Sequence, residues 1–174
     1  MPALFGPILQ NGFVVPDLER AMRHWTEAVG VGPFFVLEHV QWSEVFLRGD
    51  RIDIDMSVGV AQWGPVQVEL VQQHDATPSI YREFAASKGA GLQHVGVMTD
   101  DIDAHLTRLR PRGIEPVQWG GTANGIRFAY VSTDAHPGGM IELIERGPAI
   151  ENFFGQVRRS AENWDGKDPI RRVR

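Results

Sequence analysis

The spacing of apolar and polar positions changes several times along the chain, and each change predicts an element. ILQNGFVV (8–15) is short, apolar and rich in branched residues, which predicts a strand. Pro16 breaks it. Asp17 stands where a helix cap belongs, ahead of LERAMRHWTEAVG, in which Leu18, Met22, Trp25 and Val29 recur at helical spacing and Gly30 takes the stop position. FFVLEHVQW (34–42), RIDIDMSVGVAQWG (51–64) and VQVELVQQ (66–73) predict three more strands, with Trp63-Gly64-Pro65 as a turn. PSIYREFAASKGAG (78–91) predicts a connector helix with Tyr81, Phe84 and Ala85 facing inward and Gly89 and Gly91 ending it. The strand LQHVGVMT (92–99) follows, then Asp100-Asp101 as turn and cap, then a helix over IDAHLTRLRPRG that ends at Gly113. IEPVQW, RFAYVST (127–133) and MIELIER (140–146) predict the closing strands, with DAHPGG (134–139) as the tight turn between the last two.

The order β-α-β-β-β therefore occurs twice, and the letters repeat with it. QNGFVVPDLERAM (10–22) lies on HVGVMTDDIDAHL (94–106), placing Gln10 on His94, Gly12 on Gly96 and Asp17 on Asp101. VQVELVQ (66–72) lies on GMIELIE (139–145), placing Glu69 on Glu142. Internal repeats of this kind predict two structural units that pack on each other. We read repeat one over about 7–75, the connector over about 78–91, repeat two over about 92–147 and a C-terminal extension over 148–174, all in one domain.

Four polar residues stand at equivalent repeat positions inside otherwise apolar strands. They are Gln10 and His94 in the first strand of each copy, and Glu69 and Glu142 in the last. Pairing about a pseudo-twofold axis would bring the four together. An ionised carboxylate in an apolar strand is costly unless paired or metal-bound. Two carboxylates, an imidazole and an amide oxygen supply N and O donors and balance one divalent cation. Taken singly, each residue has a plainer reading: a satisfied core histidine, a solvent-facing glutamate.

Composition narrows the classes. The 174 residues carry a net charge of −5, which argues against nucleic-acid binding through a broad basic field. The basic IRRVR at the end reads as a solvated tail. There are no cysteines, so thiolate catalysis, thiolate metal sites and disulfides are excluded. MPALFGPILQNGF lacks the charge and apolar run of a secretory signal, and no apolar stretch is long enough to span a membrane, so a cytoplasmic protein without membrane partners is expected.

QNGFVVPDLERAMRHW, VQVELVQQ, GLQHVGVMTDDIDAHL and HPGGMIELIE together resemble the vicinal oxygen chelate superfamily, which includes glyoxalase I, methylmalonyl-CoA epimerase, bleomycin-resistance proteins and extradiol dioxygenases. The resemblance runs to about residue 146 and looks closest to the epimerase-like branch. It implies an α+β fold of two βαβββ repeats with curved mixed sheets around a central site. It also implies a homodimer and one divalent metal (Zn, Ni, Co, Mn or Mg) held by Gln10, Glu69, His94 and Glu142. Epimerases of the family usually present His, Gln, His and Glu at these positions. Eukaryotic-type glyoxalase I presents the Gln, Glu, His and Glu found here. Extradiol dioxygenases need two histidines and a carboxylate for Fe(II), which Gln10 does not allow.

The chemistry shared by the glyoxalase and epimerase branches moves a proton at a carbon next to a carbonyl, on a small-molecule substrate. Glu142 is the first choice of base and Glu69 the second. A second acid for the opposite face falls to Asp53, Asp55 or Glu44. Trp42, Trp63, Trp119, Phe34, Phe35 and Phe128 are candidates for an apolar pocket or for core, and GGTANG (120–125) reads as a hairpin turn. Ile150, Phe153, Phe154 and Val157 predict an amphipathic helix packed on this domain or on a partner subunit. Three functions compete: a metal-dependent isomerase, epimerase or lyase on an acyl-thioester or 2-oxo compound; a glyoxalase I-like lyase on a thiol adduct; and a metal-free protein that sequesters an aromatic ligand.

Overall fold

The computed structural model describes residues 3–132 and 139–173. The expected turn at 134–139 lies, apart from Gly139, outside the described residues. The first unit contains β1 (Ile8–Val14), α1 (Leu18–His24), β2 (Phe34–Leu37), β3 (Trp42–Leu47), β4 (Asp50–Ile52), β5 (Met56–Trp63) and β6 (Val66–Gln73). The connector is α2 (Ile80–Lys88). The second unit contains β7 (Gly91–Thr99), α3 (Ile102–Leu109), β8 (Pro116–Thr122), β9 (Arg127–Val131) and β10 (Met140–Glu145), and the chain closes with α4 (Pro148–Ala161) and β11 (Ile170–Arg172).

The strands form one mixed sheet in the order β11-β2-β5-β6-β1-β7-β10-β9-β8-β3-β4. Its centre is the predicted pseudo-twofold. β1 runs parallel to β6, β7 runs parallel to β10, and β1 and β7 meet antiparallel. Both unit helices start on the cap the sequence names: the Asp17 carboxylate accepts from the Arg20 N–H and the Asp101 carboxylate from the Ala104 N–H. Each cap leaves the helix's apolar face, Leu18 and Met22 in one unit and Ile102 and Leu109 in the other, buried in its own core cluster.

The structure corrects the strand and helix readings in five places. The predicted strand 34–42 stops at Leu37, because His39 takes a left-handed backbone (φ 48°) and turns the chain. Trp42 then opens β3, which crosses to the far unit and pairs with β8. The stretch 51–64 likewise divides into β4 and β5 around Asp53–Asp55. Arg48 and Gly49, both at positive φ, make the tight β3–β4 turn. Helix α1 continues as a π turn over Trp25–Val29; the wider turn shifts the buried face by one residue, so Thr26 is buried and Val29 is exposed. On α2, Tyr81 is buried and Phe84 half-buried, but Ala85 faces solvent. IRRVR is not a solvated tail: Ile170–Arg172 adds β11 to the edge beside β2, with the Arg171 guanidinium 5.7 Å from the Phe35 ring centroid and Arg172 Nε 3.0 Å from Glu38.

The C-terminal extension packs on its own chain. α4 lies against β5, buries Ile150 and Val157, and sets Phe153 edge-on against Phe35 with ring centroids 6.4 Å apart. No helix among the described residues is long and apolar enough to cross a membrane.

Candidate metal centre

The ladder fixes the site. In the four central strands, one register row reads Glu69–Gly12–His94–Met140, and the row two residues along, on the same face, reads Gln67–Gln10–Gly96–Glu142. Residues in one row, and in rows two residues apart, project from the same face of a sheet, so Glu69 and His94 in one row face the same side as Gln10 and Glu142 in the other. The glycines make this possible. A Cβ on Gly12 would lie 1.9 Å from His94 Cε1, and a Cβ on Gly96 would lie 3.1 Å from both Gln10 Cβ and Oε1. Each unit's glycine thus vacates the space that the other unit's polar side chain fills. The repeats QNG and HVG encode one device used twice.

All four predicted residues come together. His94 is fully buried, Gln10 and Glu142 are buried, and the Glu69 side chain is nearly so. His94 Nε2 lies 3.0 Å from Glu69 Oε2 and 3.5 Å from Glu142 Oε2. Yet Gln10 Oε1, Glu69 Oε2, His94 Nε2 and Glu142 Oε2 are all buried without a hydrogen-bond partner, because these short approaches lack hydrogen-bond geometry. Buried polar atoms are normally paired. Four orphans at one place, two of them on carboxylates, form a set of donors aimed inward. Atoms that each sit about 2.0–2.2 Å from one ion lie roughly 3–3.5 Å apart, which is the spacing of His94 Nε2 from the Glu69 and Glu142 oxygens.

Neighbouring groups hold the donors in position. His94 Nδ1–H donates to Gln93 Oε1 at 2.7 Å, leaving the Nε2 lone pair facing the centre. Gln10 Nε2 donates to Gln67 Oε1 at 3.3 Å, which turns the Gln10 carbonyl oxygen toward the same point. Tyr130, cross-strand from Glu142, receives a hydrogen bond from Tyr81 at 2.9 Å. Burial raises the Glu142 carboxyl to about 7; the Glu69 charge adds to this, while His94 and a hydrogen bond from Tyr130 oppose it. Burial presses the His94 imidazole down, but the close Glu69 carboxylate, with the charges of Glu142 and Glu69, outweighs it and lifts it above its ordinary value. Burial, together with the Glu142 charge, holds both tyrosine hydroxyls well above theirs. The paired carboxylates thus form an electrostatic centre that a divalent cation would neutralise.

A cavity of about 110 Å³ opens onto this centre, with Gln10, Glu69 and Glu142 at its inner end and Trp42, Phe128 and Phe153 among its walls. Of the aromatic candidates, Trp42 and Phe128 line it. Phe34 and Phe35 are core, Trp119 stacks on Phe46, and Trp63 is largely exposed. The second-acid candidates do not reach it: Glu44 and Asp53 face solvent, and Asp55 pairs with His39 at 2.6 Å. Sequence reasoning missed Gln67, Gln93, Tyr81 and Tyr130 as supports. The alignment of Gly12 on Gly96 was the available signal for the paired glycines.

Residues 9–130 match the model of the Glyoxalase/Bleomycin resistance protein/Dioxygenase superfamily, and the chain belongs to that family. Among solved structures it is similar to methylmalonyl-CoA epimerase from Mycobacterium tuberculosis, at 22% identity and a TM-score of 0.59 over 87% of this chain and 97% of that one. A hypothetical protein from Bacillus halodurans C-125 matches with a TM-score of 0.60 at 14% identity, over 82% of this chain and 95% of that one. A Streptomyces coelicolor methylmalonyl-CoA epimerase variant in complex with 2-nitronate-propionyl-CoA matches with a TM-score of 0.54 at 14% identity, over 83% and 99%. At these identities the likeness is one of fold. No curated protein matches the sequence.

Proposed function

We propose that the protein is a metal-dependent isomerase, epimerase or lyase that moves a proton at a carbon next to a carbonyl. The observation that carries this reading is the set of four buried, unpartnered donor atoms on Gln10, Glu69, His94 and Glu142. These residues would hold one divalent cation. When bound, the ion supplies Lewis acidity toward the charge that develops on a carbonyl oxygen. Glu142 is the base: its carboxylate takes the proton from the carbon and returns it. Glu69 is the second carboxylate able to carry a proton. Tyr130 lies cross-strand from Glu142 and accepts from Tyr81, and burial keeps both hydroxyls protonated, so the pair adds no charge beside the base. The apolar walls exclude water, which protects the carbanionic species from adventitious protonation.

The substrate in this reading is an acyl thioester or a 2-oxo compound. Epimerase-like neighbours support the first. The Gln, Glu, His, Glu set supports a glyoxalase I-like lyase acting on a thiol adduct. The test is metal-loaded protein in D₂O, with candidate substrates followed by NMR for exchange of the proton next to the carbonyl. Exchange in the wild type that is lost, together with bound metal, in Glu142→Ala and His94→Ala is expected. Wild-type exchange in either variant would overturn the proposal. The aromatic cavity also favours a second reading, a metal-free protein that sequesters an aromatic ligand; that reading predicts ligand quenching of tryptophan fluorescence in the presence of a chelator.

A further inference from the structure

The cavity lining constrains its occupant more tightly than the four donors do. Apart from Gln10, Glu69, Glu142, Thr122 and the tyrosine pair, the described residues that line it are aliphatic or aromatic, and no lysine, arginine or histidine is among them. The one polar atom on Trp42 is already used, its indole N–H donating to the Ile54 carbonyl at 2.9 Å. At the inner end, two carboxylates match the charge of one divalent cation and leave no positive surplus. An anionic substrate brought here would add an uncompensated charge among apolar walls, where charge is expensive.

The nearest cationic cavity is a different one. It holds Arg146 and Arg158 and measures about 320 Å³. Phe154 of α4 lines both cavities, and the hydrogen bond from Gln10 Nε2 to Gln67 Oε1 links a residue of one to a residue of the other. Arg146 is also already engaged, 2.9 Å from Asp100 and 3.5 Å from Glu151. Size agrees with charge. A volume of about 110 Å³ is smaller than the apolar cavities that take up a single benzene ring, about 150 Å³, so it suits a short alkyl compound rather than an aryl one. Ile150, Phe153 and Phe154 close one side, so α4 sets that limit.

We propose that the site takes a compact, uncharged 2-oxo compound bearing two neighbouring oxygens, such as a short alkyl α-hydroxyketone, and that α4 imposes this selectivity. The two-oxygen requirement rests on the metal-centred function proposed above; the exclusion of anions rests on the cavity lining alone. A neutral substrate also keeps the site neutral through the reaction. The C–H bond breaks, an O–H bond forms on Glu142, and the electron pair stays on the carbon–carbonyl unit, so negative charge moves without any being added.

Calorimetric titration of the Co²⁺-loaded protein tests this with three probes: neutral hydroxyacetone, anionic pyruvate and acetyl-CoA. The wild type should bind hydroxyacetone about tenfold or more tighter than pyruvate, and should not bind acetyl-CoA. Ile126→Arg, which places a cation in the lining, should reverse the order of the first two. Phe154→Ala, which removes the side chain that lines both this cavity and the one holding Arg146 and Arg158, should raise pyruvate affinity as a second check. Equal or tighter wild-type binding of either anion, or binding of none of the three, overturns the proposal. The same titration after EDTA separates the two readings. Binding of hydroxyacetone that survives chelation keeps the exclusion of anions and counts against the metal-centred function instead.

Discussion

Among the described residues, two groups bring three ligating side chains within 4.8 Å of one another: Glu69, His94 and Glu142 at the centre, and His39, Asp55 and His74 at the surface. By residue type the surface group is the better transition-metal site, with two imidazoles and a carboxylate. Their surroundings differ. At the surface His39 Nδ1 lies 2.6 Å from Asp55, His74 Nε2 lies 2.8 Å from the Ser57 hydroxyl, and solvent reaches the group. At the centre, Nε2 and both carboxylate oxygens have no hydrogen-bond partner and almost no solvent. Proximity of donors alone is thus common and cheap. What marks the central group is that its polar atoms are buried and left unpaired, a cost the fold would bear only if something else completes the site.

The largest expected effect comes from removing a central donor. Glu142→Ala should lower proton exchange by about 10²–10⁴-fold, the usual contribution of a positioned acid–base group, and should abolish metal binding in a direct titration. Next comes the glycine that houses His94. Gly12→Ala places a Cβ 1.9 Å from the ring. It should destabilise the fold by about 1–3 kcal/mol, as overpacking does, measured by urea denaturation, and should lower metal uptake because the imidazole must move. Third, Gln93→Leu removes the acceptor of the His94 Nδ1–H; metal affinity should fall about 10–100-fold with little loss of fold.

A fourth prediction contrasts two buried histidines. His105 stacks on Phe5 and, unlike His94, has no glutamate beside it; burial first, then the Arg108 charge, lowers its pKa below the usual 6.5. Its imidazole stays neutral in the folded chain, while the unfolded chain takes up the proton near 6.5. This contribution to stability is therefore complete above about pH 6.5 and is lost as pH falls toward the depressed folded value. NMR titration of His105, with denaturation at pH 5 and 7.5 for wild type and His105→Leu, measures it. The smallest effects belong to the surface group. His39→Ala and His74→Ala should change stability by no more than about 1 kcal/mol and leave central metal uptake as it was.

Much of the fold was legible because the two units repeat the same physical devices. Asp17 and Asp101 cap the two helices, and Gly30 and Gly113 end them in left-handed conformations. The four central donors could be listed because a charge or amide inside an apolar strand is conspicuous, and because each has a repeat partner. What escaped was long-range. WSEVFL (42–47) shows no clean apolar–polar alternation, so neither the strand nor its crossing to β8 left a local mark. The extra residue in the π turn moved the buried face from Val29 to Thr26 without changing the spacing of apolar letters. The spacing of Ile150, Phe153, Phe154 and Val157 gave α4 its amphipathic face but not its place as a wall of the cavity. Gln93 and Gln67 look like ordinary polar strand residues until the ladder sets them beside His94 and Gln10.

The most direct test of the central claim is elemental analysis of purified, metal-loaded wild type beside His94→Ala and His74→Ala. The account predicts about one divalent ion per chain in the wild type and in His74→Ala, and none in His94→Ala. An ion that persists without His94 but disappears without His74 would place the metal at the surface and contradict it.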